Sequence, residues 1–259
     1  MKRLLLISDN AHLSQHLINT FKQSKSALDW KIDLRYTSYN KSPEDMEELG
    51  ASKINIKNPD TVIIILRTYD LVFSLHCKQI FPRKLVESIP CYNFHPGFNP
   101  YNRGWFPQVF SIINGLTTGA TVHLMDAEID HGEILAQKEV EIRPDDTSLE
   151  AYNRIIEQEK ALITEYLDPI LSGKTHTFKP TKTGNYNSIE DYRKICQLDL
   201  NNTDTLRNHI NLLRALTHGE FKNATYQVGD ATYCVTIKVE KQPLKPNPLK
   251  DITSHNSKK

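Results

Sequence analysis

The sequence predicts an α/β fold: a Rossmann-like N-terminal domain followed by a smaller region ending in a β-hairpin. Three observations carry this. Short, continuous apolar runs such as RLLLIS (3–8) are what central parallel strands need. Such runs alternate with helical patterns along residues 1–175. Near the end, ATYQVGDATYCVTIKVE (224–240) is two alternating segments around Gly229-Asp230.

RLLLIS is the expected first strand. Leu13, Leu17, Ile18 and Phe21 then recur at helical spacing, and WKIDLRYTS (30–38) alternates as a second strand. TVIIIL (61–66) is either the end of a helix or another strand, and DLVFSL (70–75) is a strand. After Pro82, Lys84 to Ser88 fits a short helix that Pro90 stops. CYNFH (91–95) is a strand ending at Pro96-Gly97. Trp105, Val109, Ile112 and Ile113 form a helical face closed by Asn114-Gly115. GATVHLM (119–125) and residues 134–142 are further strands. Thr147 with Glu150 forms a capping box for a long helix that Gly173 ends. The segment 175–202 is polar, and Thr205 to Leu216 is a helix. This gives a larger domain at 1–175, a smaller region at 176–241, and a tail at 242–259 with the prolines, lysines and serines of a disordered segment.

Bulk properties narrow the function. The chain has 259 residues, 39% hydrophobic and 24% charged, enough for a packed core. Lys+Arg is 32 and Asp+Glu is 31, so no global field draws it to nucleic acid or a membrane. The opening MKRLLLISDN has too short an apolar run for a signal peptide. Cys77, Cys91, Cys196 and Cys234 are scattered without a pairing pattern, as expected of reduced thiols in the cytoplasm.

Two strand ends carry polar residues. Asn93 and His95, two apart on a strand, face the same way. Asp130 lies in MDAEIDHGEIL (125–135), 37 residues beyond Asn93. Carboxyl ends of strands in open α/β sheets are where ligands bind. If the two strands are close, the three side chains converge. A neutral imidazole accepts a proton near neutral pH, a carboxylate orients it, and an amide N–H stabilises a developing oxyanion. With no Ser or Cys nucleophile beside them, the set suits direct transfer of an acyl group to an amine.

NFHPG…RG and HLMDAEIDHGEI, in that order, resemble the signature of folate-dependent formyltransferases, over roughly residues 60–172. HPGFNPYNRGWFPQVFSI is most similar to the sugar N-formyltransferases that act on dTDP-linked amino sugars. Glycinamide ribonucleotide formyltransferases open with a Gly-rich phosphate loop, whereas ISDNAHLS (7–14) has no glycine. Methionyl-tRNA formyltransferases carry a larger, basic C-terminal domain.

The resemblance implies transfer of a formyl group from N10-formyltetrahydrofolate to a dTDP-linked amino-dideoxyhexose for O-antigen, with dTDP-4-amino-4,6-dideoxyglucose favoured over a 3-amino-3,6-dideoxyhexose. It implies His95 as general base, Asn93 as oxyanion donor and Asp130 as the partner of His95. It puts the folate against Cys77, Lys78 and Gln79 and against Met125, Asp126, Ala127, Glu128 and Ile129. Tyr101, Asn102, Arg103 and Trp105 fall where the sugar nucleotide binds, and the Arg103 fork matches a diphosphate. Trp105 reads more readily as a core or helix-start residue than as a ligand contact. Phe221 or Tyr226 would stack on thymine, although for Tyr226 a surface aromatic beside the hairpin is the slightly favoured reading. The partners implied are the sugar nucleotide, the folate and a second copy of the chain packed through the hairpin residues Val228, Tyr233, Val235, Ile237 and Val239. No metal is expected. Two other classes remain open: a nucleotide-sugar binding protein without turnover, and a metal-dependent hydrolase built on His123, Asp126 and His131. Turnover with folate separates the first, and metal analysis the second.

Overall fold

The structure, a computed structural model, describes residues 1–243. In chain order the elements are β1 (Lys2–Ser8), α1 (Ala11–Gln23), β2 (Trp30–Thr37), α2 (Glu44–Glu48), β3 (Ser52–Ile54), α3 (Pro59–Thr68), β4 (Leu71–Leu75), α4 (Arg83–Val86), β5 (Cys91–His95), β6 (Arg103–Gly104), α5 (Pro107–Asn114), β7 (Thr118–Leu124), β8 (Ile134–Val140) and α6 (Ser148–Leu171). The C-terminal region adds β9 (Tyr186–Asn187), α7 (Ile189–Cys196), α8 (Leu206–Leu216), β10 (Thr217–His218), β11 (Phe221–Lys222), β12 (Ala224–Val228) and β13 (Ala231–Val235).

Seven strands form one sheet in the order β3-β2-β1-β4-β5-β7-β8. The first five pair parallel, and the direction reverses at β7, which pairs antiparallel with β5 and β8. β1 shows why a central strand is continuously apolar. Leu4 and Leu6 join a core with residues of α1 and α6 on one face, while Leu5 and Ile7 pack with α3 and α4 on the other. All four are fully buried.

The run 61–66, open in the sequence between helix and strand, lies inside α3, which Asn58 caps by accepting the amide N–H of Asp60. The expected capping box at Thr147 and Glu150 starts α6. α2, β3 and α7 are short and mostly polar, so periodicity gives no sign of them. Trp105 does not begin the helix it was expected to start: α5 begins at Pro107, and Trp105 is exposed before it. The hairpin strands β12 and β13 end at Val235, short of residue 240. The tail beyond residue 243, with His255, lies outside the described residues.

α8 packs on α5, and a third apolar cluster of Val109, Ile112, Ala151, Ala215, Leu216 and Ala224 joins the C-terminal region to α5 and α6. The buried Arg214 side chain also donates to the carbonyls of Arg143 and Asp146. Among the described residues, no helix is long and apolar enough to cross a membrane.

Candidate active site

A cleft of about 560 Å³ opens beside β4, β5 and the loop after β7. Antiparallel pairing sets Asn93 opposite His123 and His95 opposite Thr121. The loop after Leu124 then turns back, and Asp130 adopts a left-handed φ of 49°. Non-glycine residues rarely take that conformation. It is held from several sides: the Asp130 carbonyl accepts from the Asn99 side chain at 2.9 Å, and Arg103 donates to the Ile129 carbonyl at 3.2 Å.

Asn93, His95 and Asp130 therefore meet. Asn93 Nδ2 is 3.0 Å from Asp130 Oδ1, His95 Nδ1 is 3.5 Å from Oδ2, and the Gly104 amide donates to Oδ2 at 3.1 Å. Burial disfavours the Asp130 charge, but His95, His123 and the Gly104 N–H outweigh it and hold the carboxyl well below the usual carboxylate range. Burial pushes His95 down to about 4 against the pull of Asp130, with His123 and His76 adding to the depression. The imidazole is then neutral near pH 7, with Nδ1–H toward Asp130 and a free lone pair on Nε2. Nε2 is buried without a hydrogen-bond partner. Gly97 makes room for it: a Cβ there would lie 2.3 Å from Nε2. A neutral, oriented imidazole with an unspent acceptor can take a proton from an attacking amine.

The other expected site residues distribute as follows. Cys77, Lys78 and Gln79 form one wall of the cleft, and residues 125–129 form another. Burial pushes the Cys77 thiol up to about 12, which leaves it a poor nucleophile. Gln79 spends its side chain on Ile56, Ser38 and Asn55. Trp105 and Phe221 line the cleft; Tyr101, Asn102, Arg103 and Tyr226 are outside its lining. Asn102 is fully buried and bonds Ser111, Asn114 and Asn185. Tyr226 stacks on Tyr233 across the hairpin.

His123, Asp126 and His131 do not gather. His123 is buried 3.5 Å from Asp130, whereas His131 pairs with Asp126 at the surface, 2.7 Å apart. Among the described residues, no group of three or more His, Cys, Asp or Glu is placed to hold a metal ion.

Sequence reasoning missed His76, Tyr152 and His218, all of which line the cleft. They come from the end of β4, from α6 and from β10, and only the fold brings them together.

Residues 1–167 match the formyl transferase family, and residues 191–241 match the N-formyltransferase dimerization C-terminal domain. The chain is 45% identical over 243 residues to dTDP-4-amino-4,6-dideoxyglucose formyltransferase of Mycobacterium tuberculosis, covering 94% of this chain and 98% of that protein. A sugar N-formyltransferase from Shewanella sp. FDAARGOS_354 has a TM-score of 0.92 at 43% identity, covering 94% of this chain and 100% of its own. A 4-N formyltransferase from Francisella tularensis has a TM-score of 0.86 at 39% identity, covering 93% and 99%. With its Asn, His and Asp joined where a formyltransferase sheet reverses direction, this chain belongs to the formyltransferase family and is a formyl-transferring enzyme.

Proposed function

We propose that the enzyme transfers a formyl group from N10-formyltetrahydrofolate to the 4-amine of dTDP-4-amino-4,6-dideoxyglucose. The observation that carries this reading is 45% identity over 94% of the chain to a relative named for that acceptor, with Asn93, His95 and Asp130 joined in the cleft. The sugar amine attacks the formyl carbon. His95 Nε2 takes a proton from the amine, and an Asn93 amide N–H faces the oxygen that gains negative charge. As the carbon–N10 bond breaks, the proton goes to N10, leaving a formamido sugar and tetrahydrofolate. Asp130 orients His95 through Nδ1 and stabilises its charged form.

The folate lies between the 77–79 and 125–129 walls, and the nucleotide reaches toward Phe221. Two copies pair through the C-terminal region, supported by the match of residues 191–241 to a dimerization domain. Four free cysteines and the use of a folate and a sugar nucleotide fit the cytoplasm.

The test is a panel of dTDP-linked 3-amino and 4-amino sugars with N10-formyltetrahydrofolate, following product by mass. The 4-amino gluco sugar is the best acceptor. Preference for a 3-amine overturns the choice of sugar. Binding without turnover overturns the enzymatic reading of this cleft.

A further inference from the structure

Glu159 lies mid-way along α6 and has no exposed surface. A carboxyl group taken out of water is costly unless it is paired. Its partner is His76, whose Nε2 stands 3.0 and 2.9 Å from the two carboxyl oxygens. Whichever of the two holds it, one proton lies between them, and this contact fixes the orientation of the imidazole.

The other ring nitrogen has weaker company. His76 Nδ1 is 3.4 Å from Tyr152 Oη and 3.4 Å from Asn10 Nδ2, both long for hydrogen bonds. His76 also has a left-handed φ of 49°. That conformation is disfavoured for a non-glycine residue and persists only where the surroundings enforce it. Here it directs a buried-acid–imidazole pair to the cleft wall.

His76 and Tyr152 both line the cleft. The Tyr152 ring meets His218 at 5.7 Å, and His218 meets the exposed Phe221 at 5.9 Å. This row offers an imidazole, a phenol and a second imidazole, all able to donate, with the carboxyl group of Glu159 set behind them. A free aromatic face closes its outer end. A sugar nucleotide stretched from His95 to Phe221 would bring its two phosphates past the middle of this row.

We propose that Glu159 is a positioning residue that holds His76 against the diphosphate of the sugar nucleotide. The inference rests on the acceptor being a nucleoside diphosphate sugar, as proposed above. A phosphate oxygen accepts from His76 Nδ1–H, and Glu159 holds the ring from behind through Nε2.

The test compares wild type, Glu159→Gln and His76→Gln, by titration with thymidine and with dTDP and by steady-state kinetics. In both variants the affinity advantage of dTDP over thymidine shrinks about tenfold or more. Thymidine affinity and the KM for N10-formyltetrahydrofolate stay at the wild-type value, and the KM for the dTDP-sugar rises. An unchanged dTDP-to-thymidine ratio in both variants, even with a lowered melting temperature, makes the pair merely structural and overturns the inference. If Glu159→Gln does not fold, the ratio in His76→Gln decides. Wild-type protein that binds no dTDP overturns the proposed acceptor and this inference with it.

Discussion

Asn93 Nδ2 stands 3.0 Å from a carboxylate oxygen of Asp130, a contact that spans 37 residues of chain. An ionised carboxylate only accepts, so the amide must present its NH2 group to it. One N–H is held by Asp130. The other points past His123 Nε2 at a long 3.4 Å, a weak contact that a ligand oxygen can replace. The amide is thereby oriented before any substrate arrives.

Replacing His95 with Ala removes the proton acceptor and the group Asp130 orients. Formyl transfer falls about 10²–10⁴-fold, while dTDP-sugar binding by calorimetry is retained. Asp130→Ala falls comparably, because it also frees the Asn93 and Gly104 donors. Near-normal turnover of the His95 variant would refute the base assignment.

Stability should rise with pH in a defined window. His95 is held at about 4 when folded, below its ordinary 6.5. Between those values the unfolded chain binds more protons, so acid draws the protein toward unfolding. The contribution is complete above pH 6.5 and is lost as pH falls to about 4; a shift of this size is worth of order 3 kcal/mol. Asp130 acts lower, stabilising above the unfolded carboxylate value near 3.9 and losing its effect as pH falls through its depressed folded value. Urea denaturation from pH 4 to 7 checks the first window, and His95→Gln flattens it.

Gly97→Ala puts a methyl group 2.3 Å from His95 Nε2 and 2.7 Å from Cδ2. The imidazole must swing away from its acceptor position. Turnover drops at least tenfold, and adding Gly97→Ala to His95→Ala changes turnover little, since both act on one group. Additive losses would mean that Gly97 acts elsewhere.

Val228 and Tyr233 are 55% and 47% exposed on the hairpin, in the region matched by the dimerization domain. A two-stranded hairpin is marginal by itself in water. Val228→Asp with Tyr233→Arg shifts sedimentation from dimer to monomer at micromolar concentration. A wild-type monomer, or a variant that stays dimeric, contradicts pairing through this hairpin.

The sheet was legible where burial leaves a pattern. RLLLIS announces a strand covered on both faces, and Thr147 with Glu150 announces the start of α6. Asn93 and His95 were legible as a pair because strand alternation puts them on one side. Their meeting with Asp130 depends on β7 running antiparallel to β5 and on a loop that turns back, which no local period encodes. His76 and Glu159 were hidden for a similar reason: 83 residues separate them, and a lone Glu on an amphipathic helix looks like a solvated charge. Asn102 misled in the opposite direction. In sequence it sits in a polar loop near the site, but its amide is occupied in bonding the surrounding chain.

α6 also acts as a ruler. Ser148, Tyr152 and Glu159 are four and then seven residues apart, so at 3.6 residues per turn all three fall within roughly 40° of one another. One helix thus sets the bearing of two groups on the cleft wall, Ser148 and Tyr152, and of the acid behind His76. Point substitutions can change which groups are presented, but not their spacing. Inserting a single residue between Tyr152 and Glu159 would turn everything beyond it by about 100° and aim the acid away from His76. The α6 share of this wall can therefore be shifted without losing its bearing only in steps of about one helical turn.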